Sequence, residues 1–142
     1  MRIEQPYDEA TGRPLPRRTP TSAPYFDAAR EGRLILQKCP RDGFFFYPRS
    51  ACPDCLGEDW SWAEVSGRGT IYSYTVDRMG LDPAQRSQVP LVVAIVELEE
   101  GPRMTSNIVG SSPDEIEIGQ RVQVTFEDLG PETLIHFELS PA

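Results

Sequence analysis

Cys39-Pro-Arg-Asp42-Gly43, followed after a short aromatic stretch by Cys52-Pro-Asp-Cys55, is the segment whose reading decides the fold. Two Cys-x-x-Cys turns joined by a hairpin make a zinc ribbon, in which four donors hold a tetrahedral Zn²⁺ that replaces a hydrophobic core. Here Asp42 stands where the second thiolate of the first turn belongs. A carboxylate is a legitimate zinc ligand, so Cys39, Asp42, Cys52 and Cys55 form one candidate metal set. Two readings stay open: a Cys₃Asp zinc site, or a ribbon without metal held by Phe44-Phe45-Phe46-Tyr47 with Trp60 and Trp62. The single histidine, His136, could instead complete a Cys₃His set. Its place in an apolar run far along the chain favours a core or surface role.

Upstream of the first turn, Arg33 to Lys38 reads as a strand, and Ala23 to Gly32 as a short helix with Pro24 in its first turn and Gly32 as its stop. Phe26 and Ala29 would share a helix face. Residues 1–22 contain Pro6, Pro14, Pro16 and Pro20, which block regular structure and predict an extended arm. Its apolar anchors are Ile3, Tyr7 and Leu15, and it either runs free or lies along a partner. Downstream, Trp60 to Val65 closes the ribbon as a third strand.

Beyond Val65 the pattern changes to evenly spaced β segments separated by Gly, Pro and acidic turns. They are Gly67 to Val76, Pro90 to Leu98, Arg103 to Val109, Gly119 to Glu127 and Thr133 to Leu139. Five antiparallel strands of this length close into a small barrel more readily than they form an open sheet, because closure removes edges. The expected fold is therefore mainly β: an arm over 1–22, a helix over 23–33, a rubredoxin-like zinc ribbon over 34–65, and a five-stranded OB-fold barrel over 66–142. By simple alternation Tyr72 and Tyr74 share one barrel face, as core or as a ligand platform. Asp77 to Val89 forms a long polar loop, a common place for binding contacts.

The chain has 142 residues and a formal net charge of −8, unevenly distributed. Residues 1–55 carry nine basic and seven acidic side chains, whereas 56–142 carry five and fifteen. Such an acidic barrel repels a phosphate backbone, which counts against the alternative of a free-standing nucleic-acid-binding protein. An odd number of cysteines argues for a reducing compartment, and the N-terminus lacks an apolar leader. No run is long and apolar enough for a membrane span, so a cytoplasmic protein is expected.

The order of these segments carries a resemblance. A Tyr-Phe helix, the Cys39/Cys52/Cys55 ribbon, Gly67-x-Gly-Thr-Ile-Tyr-Ser-Tyr-Thr, Pro90-x-Val-Val-Ala-Ile-Val-Glu-Leu-x-Glu-Gly-Pro-Arg103 and Gly119-x-x-Val together resemble the DUF35 family. That resemblance implies a zinc ribbon plus an OB fold and an association with acyl-CoA metabolism. It implies a non-catalytic accessory subunit in a hetero-oligomer, paired with a thiolase-fold enzyme such as a thiolase, an acyltransferase or a retro-aldol lyase of steroid side-chain degradation. A hot-dog-fold hydratase is the other implied partner. The partner would carry the nucleophile and the CoA pocket. Asp42 departs from the family pattern, which places a second cysteine there.

No catalytic set emerges from the residues themselves. The chain contains no Gly-x-Ser-x-Gly elbow, no P-loop, and no second histidine to activate a nucleophile. Glu99 and Glu100 read as solvating charges in a turn. Binding is the stronger expectation: Arg30, Arg33, Lys38, Arg41 and Arg49 cluster in sequence around the ribbon and could meet the phosphates of a CoA thioester held at the partner interface. Stand-alone acyl-CoA binding is a further alternative. Phe45 and Tyr47 are candidate partner contacts, because neighbouring residues of a strand point to opposite faces and the run Phe44 to Tyr47 cannot bury every ring.

Overall fold

A computed structural model describes residues 4–141; Ile3, one of the expected arm anchors, lies outside them. Helix α1 (Ala23–Arg30) carries Pro24 in its first turn, where a missing N–H removes no helical bond. It stops at Gly32, whose φ of 73° lets its N–H reach the Ala29 carbonyl. Tyr25, Ala28 and Ala29 form the buried face, while Phe26 is half-buried. At eight residues α1 is far too short for a bilayer, and no helix among the described residues is long and apolar enough to cross one.

Strand β1 (Ile35–Cys39) is the centre of an antiparallel three-stranded sheet, with β2 (Gly43–Phe45) on one side and β3 (Ser61–Glu64) on the other. Leu34, Leu36 and Val65 at the root of this ribbon belong to the same buried cluster as the barrel interior and Tyr25. The ribbon is thus continuous with the main core at its base. At its tip a second, small cluster gathers Cys39, Phe45 and Cys52, with Cys55 and Trp60 against it.

Five strands form the closed barrel: β4 (Arg68–Asp77), β5 (Leu91–Leu98), β6 (Arg103–Ile108), β7 (Arg121–Leu129) and β8 (Glu132–Leu139). Their order around the barrel is β4-β5-β6-β8-β7. The expectation of a wholly antiparallel set needs one correction. β6 and β8 pair in parallel, at Ile108 and Phe137, because the β7–β8 hairpin doubles back and brings β8 alongside β6 in the same direction. Val109 N–H donates to the Phe137 carbonyl at 2.8 Å and continues that seam.

Along β5 the side chains alternate: Val92, Ala94, Val96 and Leu98 point inward, while Ile95 on the outer face is 37% exposed. Ile71, Met104, Ile108, Val122 and Phe137 complete the interior. Each such aliphatic or aromatic side chain contributes roughly 1.5–3 kcal/mol by leaving water. Gly69 is required by close approach, since a Cβ there would lie 2.5 Å from the Glu97 carbonyl oxygen.

A β-bulge interrupts β4. Ile71 faces Val96 and Ser73 faces Ile95, so Tyr72 is the extra residue with no partner. The bulge separates the two tyrosines that alternation had placed together. Tyr72 turns outward, 48% exposed, with the Arg103 guanidinium 3.7 Å from its ring centre. Tyr74 packs against the core and donates its hydroxyl to the Ile116 carbonyl at 3.0 Å.

The described part of the arm is folded back on its own barrel. Asp8 and Arg13 close a local turn, and Leu15 is buried at 7% exposure. Arg13 forms a bidentate pair with Glu127 of β7 at 3.0 Å for both bonds. Arg18 does the same with Glu132 of β8, at 2.7 and 3.0 Å, and also pairs with Asp27 of α1. Proline content rules out a helix or a central strand here, but it leaves these side chains free to dock.

Candidate functional site

The four residues of the expected metal set converge at the ribbon tip, their donor atoms all within 4.8 Å of one another. Cys39 closes β1, Asp42 sits in the turn before β2, and Cys52 and Cys55 lie in a second turn anchored by Cys52 N–H to the Gly57 carbonyl at 2.9 Å. Zinc–sulfur bonds of about 2.3 Å and zinc–oxygen bonds of about 2.0 Å, set tetrahedrally, require S···S edges near 3.8 Å and S···O edges near 3.5 Å. The sulfurs of Cys39 and Cys55 are 3.6 Å apart, and Asp42 Oδ2 lies 3.6 Å from Cys39 Sγ and 3.5 Å from Cys52 Sγ. These three edges match those of a tetrahedron built on thiolates and one carboxylate oxygen, and with the remaining donor pairs within 4.8 Å the donor set fits zinc.

Backbone amides prepare one sulfur, that of Cys39, for the thiolate form. The Asp42 N–H, then that of Arg41, hold the Cys39 thiol below its ordinary value. A hydrogen bond from the Cys55 thiol, helped by Cys52 and Cys39, keeps Asp42 below the usual carboxylate range. Although the Gly57 amide favours its thiolate, Cys55 is pushed up to about 12 by Asp42 and the neighbouring sulfurs. Crowded donors of this kind release protons when a divalent cation takes the centre.

The expected contact residues are distributed differently. Phe45 is 6% exposed and packs beside Cys39 and Cys52, so it is not available to a partner, contrary to expectation. Pleating turns it inward at the ribbon tip, and Tyr47 is the ring of that run left open, at 53% exposure. The Tyr47 hydroxyl donates to Thr105 Oγ1 at 3.3 Å and spans from ribbon to barrel. Arg33 is engaged with Glu31 and Glu64. Arg49 donates to the carbonyls of Tyr47 and Phe46, and Arg41 is exposed at the first turn. Arg33 and Arg41 flank opposite ends of β1.

One buried polar residue escaped the sequence reading. Gln37, 1% exposed, donates to the Arg49 carbonyl at 2.7 Å and accepts the Arg49 N–H at 2.9 Å, pinning the loop that carries Tyr47. A buried polar residue in the middle of an apolar strand is the signal that marks it. His136 is not part of the metal cluster. Its Nε2 lies 2.9 Å from Glu127 Oε1, while its buried Nδ1 has no hydrogen-bond partner among the described residues. With its amide oxygen turned toward the guanidinium, Gln88 accepts from Arg13 Nε at 2.6 Å. Arg13 therefore ties the arm to β7 and to the long β4–β5 loop at once.

A helix-led ribbon carrying a four-donor knuckle, rooted on a closed barrel of OB order, defines a zinc-ribbon/OB-fold protein. Residues 26–61 match the family described as "ChsH2, rubredoxin-like zinc ribbon domain", and residues 62–127 match "ChsH2, C-terminal OB-fold domain". The chain belongs to the DUF35 family: it is 43% identical to a DUF35 domain-containing scaffold protein of Methanothermobacter thermautotrophicus over 70% of this chain and 75% of that one. It is also 40% identical, over 84% of its length, to a probable enoyl-CoA hydratase alpha subunit of Thermomonospora curvata, but spans only 37% of that relative. Among solved structures it resembles a chain of an "Ltp2-ChsH2(DUF35) aldolase", with a TM-score of 0.78 and 38% identity over 88% of this chain and 98% of that chain.

Proposed function

We propose that this chain is the accessory subunit of a hetero-oligomeric acyl-CoA-processing enzyme, working with a thiolase-fold subunit that supplies the nucleophile and the CoA pocket. The observation that carries this reading is the match of both modules to nearly the whole DUF35 chain of the Ltp2-ChsH2(DUF35) aldolase. Its own reactive side chains are committed elsewhere: the three cysteines converge on the metal cluster, and His136 is paired with Glu127. The carbon–carbon or hydration chemistry therefore belongs to the partner. Similarity to a hydratase alpha subunit makes a hot-dog-fold hydratase the second partner class. Three unpaired cysteines support a cytoplasmic location for this work.

Co-expression with the Ltp2 subunit of that aldolase, followed by size-exclusion chromatography and an acyl-CoA cleavage assay, tests the reading. Co-elution with acyl-CoA cleavage above that of Ltp2 alone is expected. Separate elution of the two chains refutes it.

The ribbon holds one structural zinc through Cys39, Asp42, Cys52 and Cys55. The tetrahedral edge lengths support this set. Inductively coupled plasma mass spectrometry of the purified chain should find one zinc per chain. A metal-free protein whose thermal unfolding is unaffected by a zinc chelator refutes it.

A further inference from the structure

The longest loop of the barrel, residues 78–90 between β4 and β5, presents the two most exposed large apolar side chains among the described residues. Met79 is 76% exposed and Leu81 85%. Yet the backbone that presents them is pinned. Asp77 Oδ1 accepts the N–H groups of Met79 and Gly80 at 3.0 and 3.1 Å, and Asp82 Oδ1 accepts that of Ala84 at 2.8 Å. Gly80, at φ 60°, is packed so closely that an added Cβ would lie 3.1 Å from the Arg86 nitrogen. Gln88, at the far end of the loop, meets Arg13 of the arm. Two large apolar side chains are thus held in water by a hydrogen-bonded scaffold.

Charge supplies the second observation. Of the five basic residues in 56–142, Arg68 and Arg121 are paired with Glu99, and Arg103 with Glu97. Arg78 and Arg86 are exposed and form no ion pair among the described residues. On a barrel dominated by acidic side chains, the two unpaired cations flank the two most exposed apolar ones. Unpaired arginines beside apolar anchors are the composition of a protein-binding hot spot rather than of a solvating surface.

We propose that this loop is a prong that inserts Met79 and Leu81 into an apolar recess with an acidic rim on the enzyme subunit, while Arg78 and Arg86 pair with that rim. The proposal rests on the accessory-subunit reading above. Burial of the two side chains sets the lifetime of the complex, and the arginines set its encounter rate and salt dependence.

The test measures binding of the purified full chain to the Ltp2 subunit of the related aldolase by biolayer interferometry at several salt concentrations. Met79→Ser/Leu81→Ser should weaken binding at least about tenfold, mainly through dissociation. Arg78→Glu/Arg86→Glu should slow association and flatten its salt dependence. Ile118→Ser, at a site 67% exposed but beside acidic residues, should change affinity less than about twofold. All five positions are exposed, so melting temperatures should stay at the wild-type value, separating loss of contact from loss of fold. If both loop variants bind like the wild type, the proposal is overturned and the accessory-subunit reading stands. If the wild-type chain itself fails to bind Ltp2, both fall. Co-sedimentation of the wild type, but not of Met79→Ser/Leu81→Ser, with phosphatidylglycerol vesicles would make the occupant a bilayer and also overturn the proposal.

Discussion

Replacing Arg13 by alanine removes one of the two bidentate pairs through which the arm holds the barrel, and the structure sets the size of the effect. The guanidinium is 16% exposed and bidentate to Glu127, whose own side chain is 40% exposed. Arg13, then His136, hold the Glu127 carboxyl at about 2, below its ordinary 4.5, against the opposing effect of burial. Taken at face value, that depression corresponds to roughly 3 kcal/mol. Solvent screening at a carboxylate this exposed reduces it to about 1 kcal/mol. Arm opening should then become about fivefold more frequent, and the melting temperature should fall by about 3 °C. Hydrogen–deuterium exchange at the Asp8, Gly12 and Leu15 amides, each bonded within the arm, reads this directly. Because the folded carboxyl is the stronger acid, its stabilisation is complete above about pH 4.5 and disappears as the pH falls toward about 2. The protection of these amides, taken relative to their intrinsic exchange rates, should therefore fall in the wild type as the pH drops through that window, while Arg13→Ala shows little further change. Unaltered exchange and an unaltered pH profile in the variant would refute this ion pair as a fastening and leave the Arg18–Glu132 pair and burial of Leu15 as the cause.

Asp42→Cys should raise zinc affinity at least about tenfold in a chelator competition, since a thiolate is the softer donor; an unchanged affinity would mean that position 42 does not ligate. Gly69→Ala should destabilise the barrel by about 2 kcal/mol or more in urea unfolding, because its Cβ would sit 2.5 Å from a backbone oxygen. Tyr74→Phe leaves the Ile116 carbonyl without its hydroxyl partner and should cost about 1 kcal/mol in the same assay.

The ribbon was legible because cysteine spacing is a covalent ruler: Cys39, Cys52 and Cys55 admit few geometries, and Asp42 falls where the fourth donor must be. The barrel was legible from the period-two pattern of β5 and the glycines and prolines between strands. Tyr72 defeated the same rule, since a single extra residue in β4 reverses the facing of one side chain and no periodicity announces it. Phe45 illustrates the neighbouring difficulty: the pleat requires that some rings of Phe44 to Tyr47 face outward without saying which. The arm was the least legible part. Its docking depends on Arg13 and Arg18 meeting Glu127 and Glu132, each pair 114 residues apart in sequence, and long-range complementarity of this kind has no local signature.

Both acceptors for the arm lie on the β7–β8 hairpin, and the same hairpin supplies the pairings β4–β7 and β6–β8 that close the barrel. This has a consequence for biogenesis. On the ribosome the arm is made well before its two docking carboxylates, which emerge only after the ribbon and three barrel strands. Until the β7–β8 hairpin leaves the exit tunnel, the arm is unmoored and the sheet has open edges. Barrel closure and arm capture then coincide, so a nascent chain stalled before residue 127 should remain protease-sensitive in the arm, whereas the released chain is sealed there.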